Sequence, residues 1–120
     1  MIRIEGVSHS FGALRVLNDL WFEVPDHEIF GFIGPNGAGK TTTIRIMTGL
    51  LRPTSGHAEI AGVDVVTHPQ RAKEVVGYMP DVFGVYRGMR VWEYLDFFGA
   101  AYRLSRATRR TRVEEVLNIS

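Results

Sequence analysis

The octapeptide GPNGAGKT, residues 34–41, constrains the fold of this chain more than any other segment. It matches the pattern GxxxxGK[ST], in which glycines let the backbone adopt positive φ angles and approach a ligand without an intervening Cβ atom. Such a loop turns successive N–H groups inward, and a helix that begins at its end adds further N–H groups and a favourable dipole. The segment therefore predicts a concave site for phosphate groups.

The segments on either side of the loop provide the structural context that this motif requires. Residues 28–33, EIFGFI, form an apolar run that is typical of a buried parallel strand. Residues 40–51 follow with helical periodicity. The apolar stripe of this predicted helix contains Ile44, Met47, Leu50 and Leu51. Because the order is strand, glycine loop, helix, we expect a phosphate-binding loop rather than an ordinary glycine-rich turn.

Composition limits the chain to one domain or part of one, because it has only 120 residues. A hydrophobic fraction of 45% is ordinary for a globular protein, and a net charge of +1 indicates no strong attraction to nucleic acid. There is no cysteine, which excludes disulfide and thiolate chemistry. The absence of a long apolar run and of a signal-peptide pattern at Met1 favours a cytosol-facing protein.

The rest of the chain predicts a mixed α/β fold with an antiparallel ribbon at its start. Alternating apolar residues predict strands at 2–5 and 20–24, and the sequence PDHE at 25–28 predicts the turn that follows. Two further short strands are predicted at 57–62 and 75–80.

Two helices are predicted towards the C-terminus, at residues 91–102 and after Ser105, a candidate N-cap. Basic side chains cluster there: Arg103, Arg106, Arg109, Arg110 and Arg112. They could bind an acidic partner, but a charge run on a helix more often marks a solvated face. The four histidines show no metal-ligand spacing, and we interpret them as surface or turn residues: His9, His27, His57 and His68.

Several spaced motifs resemble the ATP-binding subunits of ABC transporters. The continuous match is FIGPNGAGKTTTIRIMTGLLRPTSGHAEIAGVDV at 32–66, preceded by VSHSFG at 7–12 and followed by VGYMPDVFGVYRGMRVWEYL at 76–95. The resemblance implies an α/β P-loop NTPase core of ABC type with an N-terminal antiparallel β subdomain, incomplete at the C-terminus. It also implies that residues 1–120 are the N-terminal part of one ATP-binding domain.

The resemblance implies ATP and Mg²⁺ as cofactors and assigns roles to individual positions. Phe11 matches an aromatic that stacks on adenine, although without the family it would be an ordinary core aromatic; Val16 matches a small apolar residue near the same base. The phosphates and the metal would be held by Gly34, Pro35, Asn36, Gly37, Ala38, Gly39, Lys40, Thr41 and Thr42. Lys40 would also serve catalysis by stabilising phosphoryl charge, and Thr41 would bind Mg²⁺.

The chain departs from the family pattern at three positions. His27 replaces a glycine in the hairpin turn. Histidine tolerates the positive φ angle of such a turn better than most non-glycine residues do. Arg90 replaces a Thr or Ser helix cap, at a cost of about 1 kcal/mol. Asp81 replaces the glutamine of the Q-loop, where it either contacts Mg²⁺ or caps a turn after Pro80. The GYMPD variant at this position resembles a subgroup found in exporters.

The family's signature motif, second acidic strand, catalytic glutamate and switch histidine have no counterpart in residues 82–120. We therefore expect ATP binding from this chain but no hydrolysis by it alone. The complete protein would hydrolyse ATP in a head-to-tail dimer at the cytoplasmic face of the membrane and drive transmembrane permease subunits, with no nucleic acid as partner. Two alternatives are a soluble ABC-type ATPase acting on ribosomes or DNA, and a truncated nucleotide-binding module without turnover. The transported substrate is not encoded here.

Overall fold

The computed structural model describes residues 1–82 and 84–119. Their contacts divide the chain into a first unit, Met1–Met79, and a second unit, Pro80–Ser120. None of the helices in the described ranges has the length and apolar character needed to cross a bilayer.

The first unit is built around an antiparallel sheet. Strands β1 (Ile2–Phe11) and β2 (Leu14–Val24) form a hairpin, β3 (Ser55–Ile60) pairs with the other edge of β1, and the short β4 (Val63–Asp64) pairs with β3. In the described part of the chain the strand order is β2-β1-β3-β4. The antiparallel ribbon predicted at the start of the chain is confirmed.

Strand β2 shows the predicted alternation. Val24 is buried and Leu20 and Phe22 are partly buried, whereas Trp21 and Glu23 between them are exposed. Since successive side chains of a strand point to opposite faces, one face of β2 packs on the core and the other meets solvent.

The turn predicted after β2 is confirmed at Asp26 and His27. His27 adopts φ 65°, a left-handed conformation that favours glycine. The turn therefore forms with histidine at this position.

The core lies between the sheet and helix α1 (Lys40–Met47). The predicted helix is confirmed but shorter: Gly49 has φ 68°, and the N–H groups of Leu50 and Leu51 donate to the Arg45 carbonyl at 2.9 and 3.0 Å. These bonds close the last turn, as a glycine-terminated helix end does. The buried apolar residues of this core are Ile4, Val7, Leu17, Ile46, Ala58, Ile60, Val65 and Ala72.

The helical stripe predicted for α1 is therefore partly wrong. Ile46, which was outside the predicted stripe, is completely buried, and Thr43 beside it is 1% exposed. Leu50 lies beyond the helix and is 49% exposed. Helix α2 (Pro69–Glu74) and strand β4 were not predicted, although Pro69 in the first turn is a common helix-start signal.

Two predicted strands are absent from the described structure, at residues 28–33 and 75–80. A parallel strand requires hydrogen-bonded neighbours, and the described sheet contains only the antiparallel strands β1 to β4. The apolar composition of these two segments therefore suggested buried strands, but it could not specify which strands they would pair with. Accordingly, the side chains of Ile29 and Ile33 are 101% and 94% exposed.

The segment at 28–33 is held to the first unit by aromatic contacts on its other side. The ring centroids of Phe30 and Phe32 lie 5.4 and 5.6 Å from that of Phe22 on β2. Phe30 and Phe32 thus face the sheet, whereas Ile29 and Ile33 face solvent. The segment connects strand β2 to the glycine loop.

The second unit contains a helical hairpin of α3 (Val91–Ala101) and α4 (Arg106–Ile119), which confirms both predicted helices. The Glu93 carboxylate accepts a hydrogen bond from the Arg90 N–H at 2.7 Å. This is half of a capping box, so the helix start is capped although Arg90 has no acceptor of its own. The predicted N-cap is confirmed, because Thr108 N–H donates to Ser105 Oγ at 3.2 Å.

Most arginines of α4 lie on a solvated face, as the charge pattern predicts. Arg110 and Arg112 are exposed and pair with Glu114 and Glu115 one turn further along. Arg109 differs: its side chain is 20% exposed and it reaches across to α3.

Candidate functional site

Helix α1 begins directly at the glycine loop and leaves its first N–H groups available. Its N-cap, Gly39, has φ 85° and ψ 9°, and no side chain caps the helix. The first four N–H groups of a helix, here those of residues 39–42, have no partner within the helix. Together with the helix dipole, they form a positive end that favours an anion.

The loop itself combines two left-handed glycines with a tight turn. Gly37 has φ 83°, and Ala38 N–H donates to the Pro35 carbonyl at 3.2 Å. A Cβ on Gly34 would lie 3.2 Å from the Ala38 Cβ, so both positions must be small. Asn36, in the same turn, is exposed. These features produce a compact glycine turn directly before α1, and the concave phosphate site stays a prediction.

The Lys40 ammonium group lies over the loop. Its Nζ donates to the carbonyl oxygens of Gly34 at 2.5 Å and Pro35 at 2.7 Å. The positive charge of Lys40 is therefore held against the glycine loop, next to the N–H groups at the start of α1. A point charge on a flexible stem is suited to phosphate oxygens.

Strand β2 supports the loop from beneath. A Cβ on Gly39 would lie 2.4 Å from Leu17 Cδ2 and 3.0 Å from the Val16 carbonyl oxygen. Thr43 Oγ1 donates to the Gly39 carbonyl at 2.9 Å from a buried position. The structure thus brings Val16 to the loop through its backbone, and it adds Leu17 and Thr43 as supporting residues that the sequence alone did not indicate.

Phe11 lies at the end of β1, opposite Leu14 on β2. Its side chain is 48% exposed, so it is not the ordinary core aromatic that it would be without the family resemblance. The ring makes an edge-to-face contact with His9, whose cross-strand partner is Leu17. Phe11 therefore contacts the loop indirectly: it packs on His9, His9 pairs with Leu17 on β2, and Leu17 lies next to Gly39.

The remaining predicted site residues are divided between the two units. Thr41 is exposed and Thr42 is partly buried in the first turn of α1, where a hydroxyl can reach a ligand of the loop. Asp81 is an exposed residue of the second unit, and its metal role stays a prediction.

The interpretation of all four histidines as surface or turn residues is wrong for His9. Its side chain is 7% exposed on β1. The signal was present in the sequence, because Val7 and His9 are two apart and both point inward.

His57 lies between two carboxylates on the β3–β4 hairpin. Its Nδ1 is 3.1 Å from Asp64 Oδ2, and its Nε2 is 3.7 Å from Glu59 Oε2. Burial opposes ionisation of Asp64, but hydrogen bonds from Thr67 and Val66 and the nearby His57 outweigh it and lower the pKa of Asp64 below 3.8. Within the described ranges no cluster of three His, Cys, Asp or Glu side chains could hold a metal ion.

Comparison with known proteins identifies the family. The family model for the ABC transporter matches residues 17–119, which include the glycine loop, Lys40 and helix α1. The chain belongs to the ABC transporter family. The family membership that its motifs predict is confirmed. Its relatives are named as ATP-binding proteins of ABC transporters.

Curated relatives of this ABC family member come from bacteria and archaea. The "Probable multidrug ABC transporter ATP-binding protein YbhF" of Escherichia coli K12 is 39% identical over 87% of this chain and 18% of its own length. An uncharacterized ABC transporter ATP-binding protein of Methanocaldococcus jannaschii is 40% identical over 82% of this chain and 33% of its own length. The "Nod factor export ATP-binding protein I" of Ralstonia nicotianae is 34% identical over 100% and 37%. The chain therefore spans well under half the length of these relatives.

Solved structures confirm the fold class. An ATP-binding subunit of an ABC transporter superposes with a TM-score of 0.77 and 33% identity over 89% of this chain and 45% of its own length. A dimeric ATP-binding cassette bound to ADP and phosphate gives a TM-score of 0.81 at 22% identity, over 98% and 56%. The antiparallel sheet and helices described above are thus part of the α/β fold of ABC ATP-binding domains.

Proposed function

We propose that this chain binds ATP with Mg²⁺ as the N-terminal part of one ABC-type ATP-binding domain, residues 1–120. In the complete protein, we propose that ATP hydrolysis drives transport of a solute through transmembrane permease subunits. The domain would act as a head-to-tail dimer with a second ATP-binding domain, peripherally at the cytoplasmic face of the membrane.

The observation that carries the ATP-binding proposal is the loop geometry. The uncapped helix start at Gly39 and the Lys40 ammonium, 2.5 Å from the Gly34 carbonyl oxygen, lie on the same loop. Unpaired N–H groups, a helix dipole and a lysine are the combination that binds a chain of phosphates. The phosphates would lie along residues 34–42, with Lys40 near the β- and γ-phosphates.

The donor set at the start of α1 fits a hard cation bound together with phosphate. Thr41 presents an exposed hydroxyl oxygen in the first turn, and Mg²⁺ prefers oxygen ligands and retains several waters. Bound Mg²⁺ would supply charge neutralisation on the β- and γ-phosphates. Lys40 would stabilise negative charge on the phosphoryl group, which is its proposed catalytic contribution.

The transport part of the proposal rests on family membership and on the names of the relatives. Two of them are named for multidrug transport and Nod factor export, which favour export over import for this protein. The second domain is supported by the dimeric cassette that shares the fold. Peripheral membrane association is tested by fractionation: the complete protein should sediment with membranes and be released by alkaline carbonate.

The test of ATP binding is calorimetric titration at fixed Mg²⁺ with two variants matched in charge. Lys40→Ala should weaken ATP by about 10- to 100-fold, because hydrogen bonds to a charged group contribute about 1.5–3 kcal/mol. Arg45→Ala removes the same charge from the last turn of α1, where its side chain is exposed, and should leave the affinity unchanged. Equal affinities for wild type and Lys40→Ala would refute the assignment of this loop.

A further inference from the structure

His9 is a buried polar side chain without a partner. Both ring nitrogens have no hydrogen-bond partner among the described residues, and the side chain is 7% exposed. Leaving a buried polar atom unpaired is unfavourable, so native structures contain few such groups and each requires an explanation. An apolar side chain at this position would avoid that cost, so His9 is a candidate for a role beyond packing.

The ring of His9 packs edge-to-face against Phe11. Their centroids are 4.6 Å apart and their planes are inclined by 79°. This is one of the arrangements that aromatic pairs prefer. Phe11 is the last residue of β1 and half exposed, and His9 is an aromatic neighbour packed against its ring.

The backbone around His9 is irregular on both sides. The pairing of β1 with β2 shifts register between Val7 and His9 and again between His9 and Ser10. Ser10 N–H donates instead to Thr54 Oγ1 at 3.1 Å. Register shifts of this kind re-aim side chains and occur next to functional sites. Here they flank a buried histidine that contacts the exposed aromatic Phe11.

We propose that His9 is a positioning residue that fixes the Phe11 ring for stacking on the nucleotide base. The inference rests on the proposed ATP binding and extends it from the phosphate loop to base recognition. Without the His9 ring, Phe11 would have to be ordered by the nucleotide itself, at the cost of side-chain freedom. The phosphate loop would be unaffected.

The experiment compares Mg·ATP with inorganic triphosphate, which lacks a base, by calorimetric titration. His9→Leu should weaken ATP about 2- to 10-fold, the scale of one aromatic pair, and leave triphosphate unchanged. His9→Phe keeps an aromatic edge and should restore wild-type affinity. His9→Met, which fills a similar space flexibly, serves as a second non-aromatic variant if His9→Leu does not fold.

A double-mutant cycle separates positioning from general stability. In a Phe11→Ala background, His9→Leu should have no further effect on ATP, because there is no ring left to position. Equal weakening of ATP and triphosphate by both non-aromatic variants, or unchanged ATP affinity, would overturn the proposal.

The same data distinguish this inference from the function on which it depends. Phe11→Ala should weaken ATP by about 5- to 150-fold without affecting triphosphate, the scale of base–aromatic stacking. If Phe11→Ala behaves in this way and the His9 variants do not, only the positioning role fails. If wild type binds neither ATP nor triphosphate, the phosphate-loop function fails.

Discussion

Among single residues, Asp64 links the stability of the first unit to pH. Its Oδ1 accepts hydrogen bonds from the N–H groups of Val66 at 2.7 Å and Thr67 at 2.8 Å, and these bonds favour the charged form. A carboxylate whose pKa is lower in the folded state than in the unfolded state stabilises the protein fully when the pH is above the unfolded-state pKa, which is 3.8 here. This stabilisation is lost as the pH falls through the folded-state pKa.

The prediction is that Asp64→Asn lowers the free energy of unfolding at pH 7, and that its difference from wild type shrinks below pH 3.8. Each unit of pKa shift corresponds to about 1.4 kcal/mol. Chemical denaturation at several pH values provides the measurement. Asp64→Ala, which also removes the acceptor for both N–H groups, should cost more at every pH. A difference between Asp64→Asn and wild type that does not change with pH would contradict the prediction.

Asp81 provides a residue-scale test of the metal site. A carboxylate near Mg²⁺ strengthens the metal contact, and without metal the same charge repels the phosphates. In the complete protein, Asp81→Gln should therefore lower the ratio of ATP affinity in Mg²⁺ to that in EDTA, and Asp81→Asn should lower it less. Calorimetry under both conditions gives the ratio. An identical ratio in wild type and Asp81→Gln would reduce Asp81 to a turn residue.

At the scale of elements, Arg109 joins the two helices of the second unit. Its Nε donates to Asp96 Oδ1 on α3 at 2.8 Å, and a terminal nitrogen donates to the Leu104 carbonyl at 3.0 Å. The stem passes close to Gly99, where a Cβ would lie 3.0 Å from Arg109 Cδ. One side chain thus fixes both the helix pair and the connection between them.

Arg109→Ala should destabilise the hairpin by about 1–2 kcal/mol, because it removes two charge-assisted hydrogen bonds from a largely buried side chain. Arg110→Ala breaks a pair whose arginine is 85% exposed and should cost less than about 0.5 kcal/mol. Hydrogen exchange of the amides in α3 and α4 measures both effects. Equal protection in the two variants would show that Arg109 does not join the helices.

Patterns local to one element were predictable from the sequence, whereas pairing between distant segments was not. The glycine loop, the turn at His27 and the cap at Ser105 depend on neighbouring residues, and they form as expected. The segment at 28–33 has the composition of a buried strand, but its structure depends on neighbours that an apolar pattern cannot specify. Burial of His9 follows the strand alternation that it shares with Val7, but the register shifts on either side of it leave no clear trace in composition.

At the scale of the whole molecule, the exposed side of residues 28–33 is a candidate surface for association between copies of the chain. Two isoleucines on one face of a segment with no strand partner in the described structure offer both apolar surface and backbone groups to another molecule. We expect the chain to self-associate. The double variant Ile29→Thr, Ile33→Thr should shift sedimentation towards the monomer.

Leu14→Thr is the matched control, because Leu14 is 66% exposed but lies on a paired strand. It should leave the sedimentation profile unchanged. A monomeric wild type, or an equal shift from the control, would show that residues 28–33 are not the site of association.

The contact between Gly39 and strand β2 also determines which sequences the loop can tolerate. An alanine at 39 would meet Leu17 as well as the strain of a left-handed backbone, so two separate penalties act on one position. Shortening Leu17 relieves most of the first penalty, although the close approach to the Val16 carbonyl oxygen remains, and it leaves the second penalty unchanged. In a library in which both positions are randomised and selected for folding, rare non-glycine residues at 39 should therefore occur together with small residues at 17.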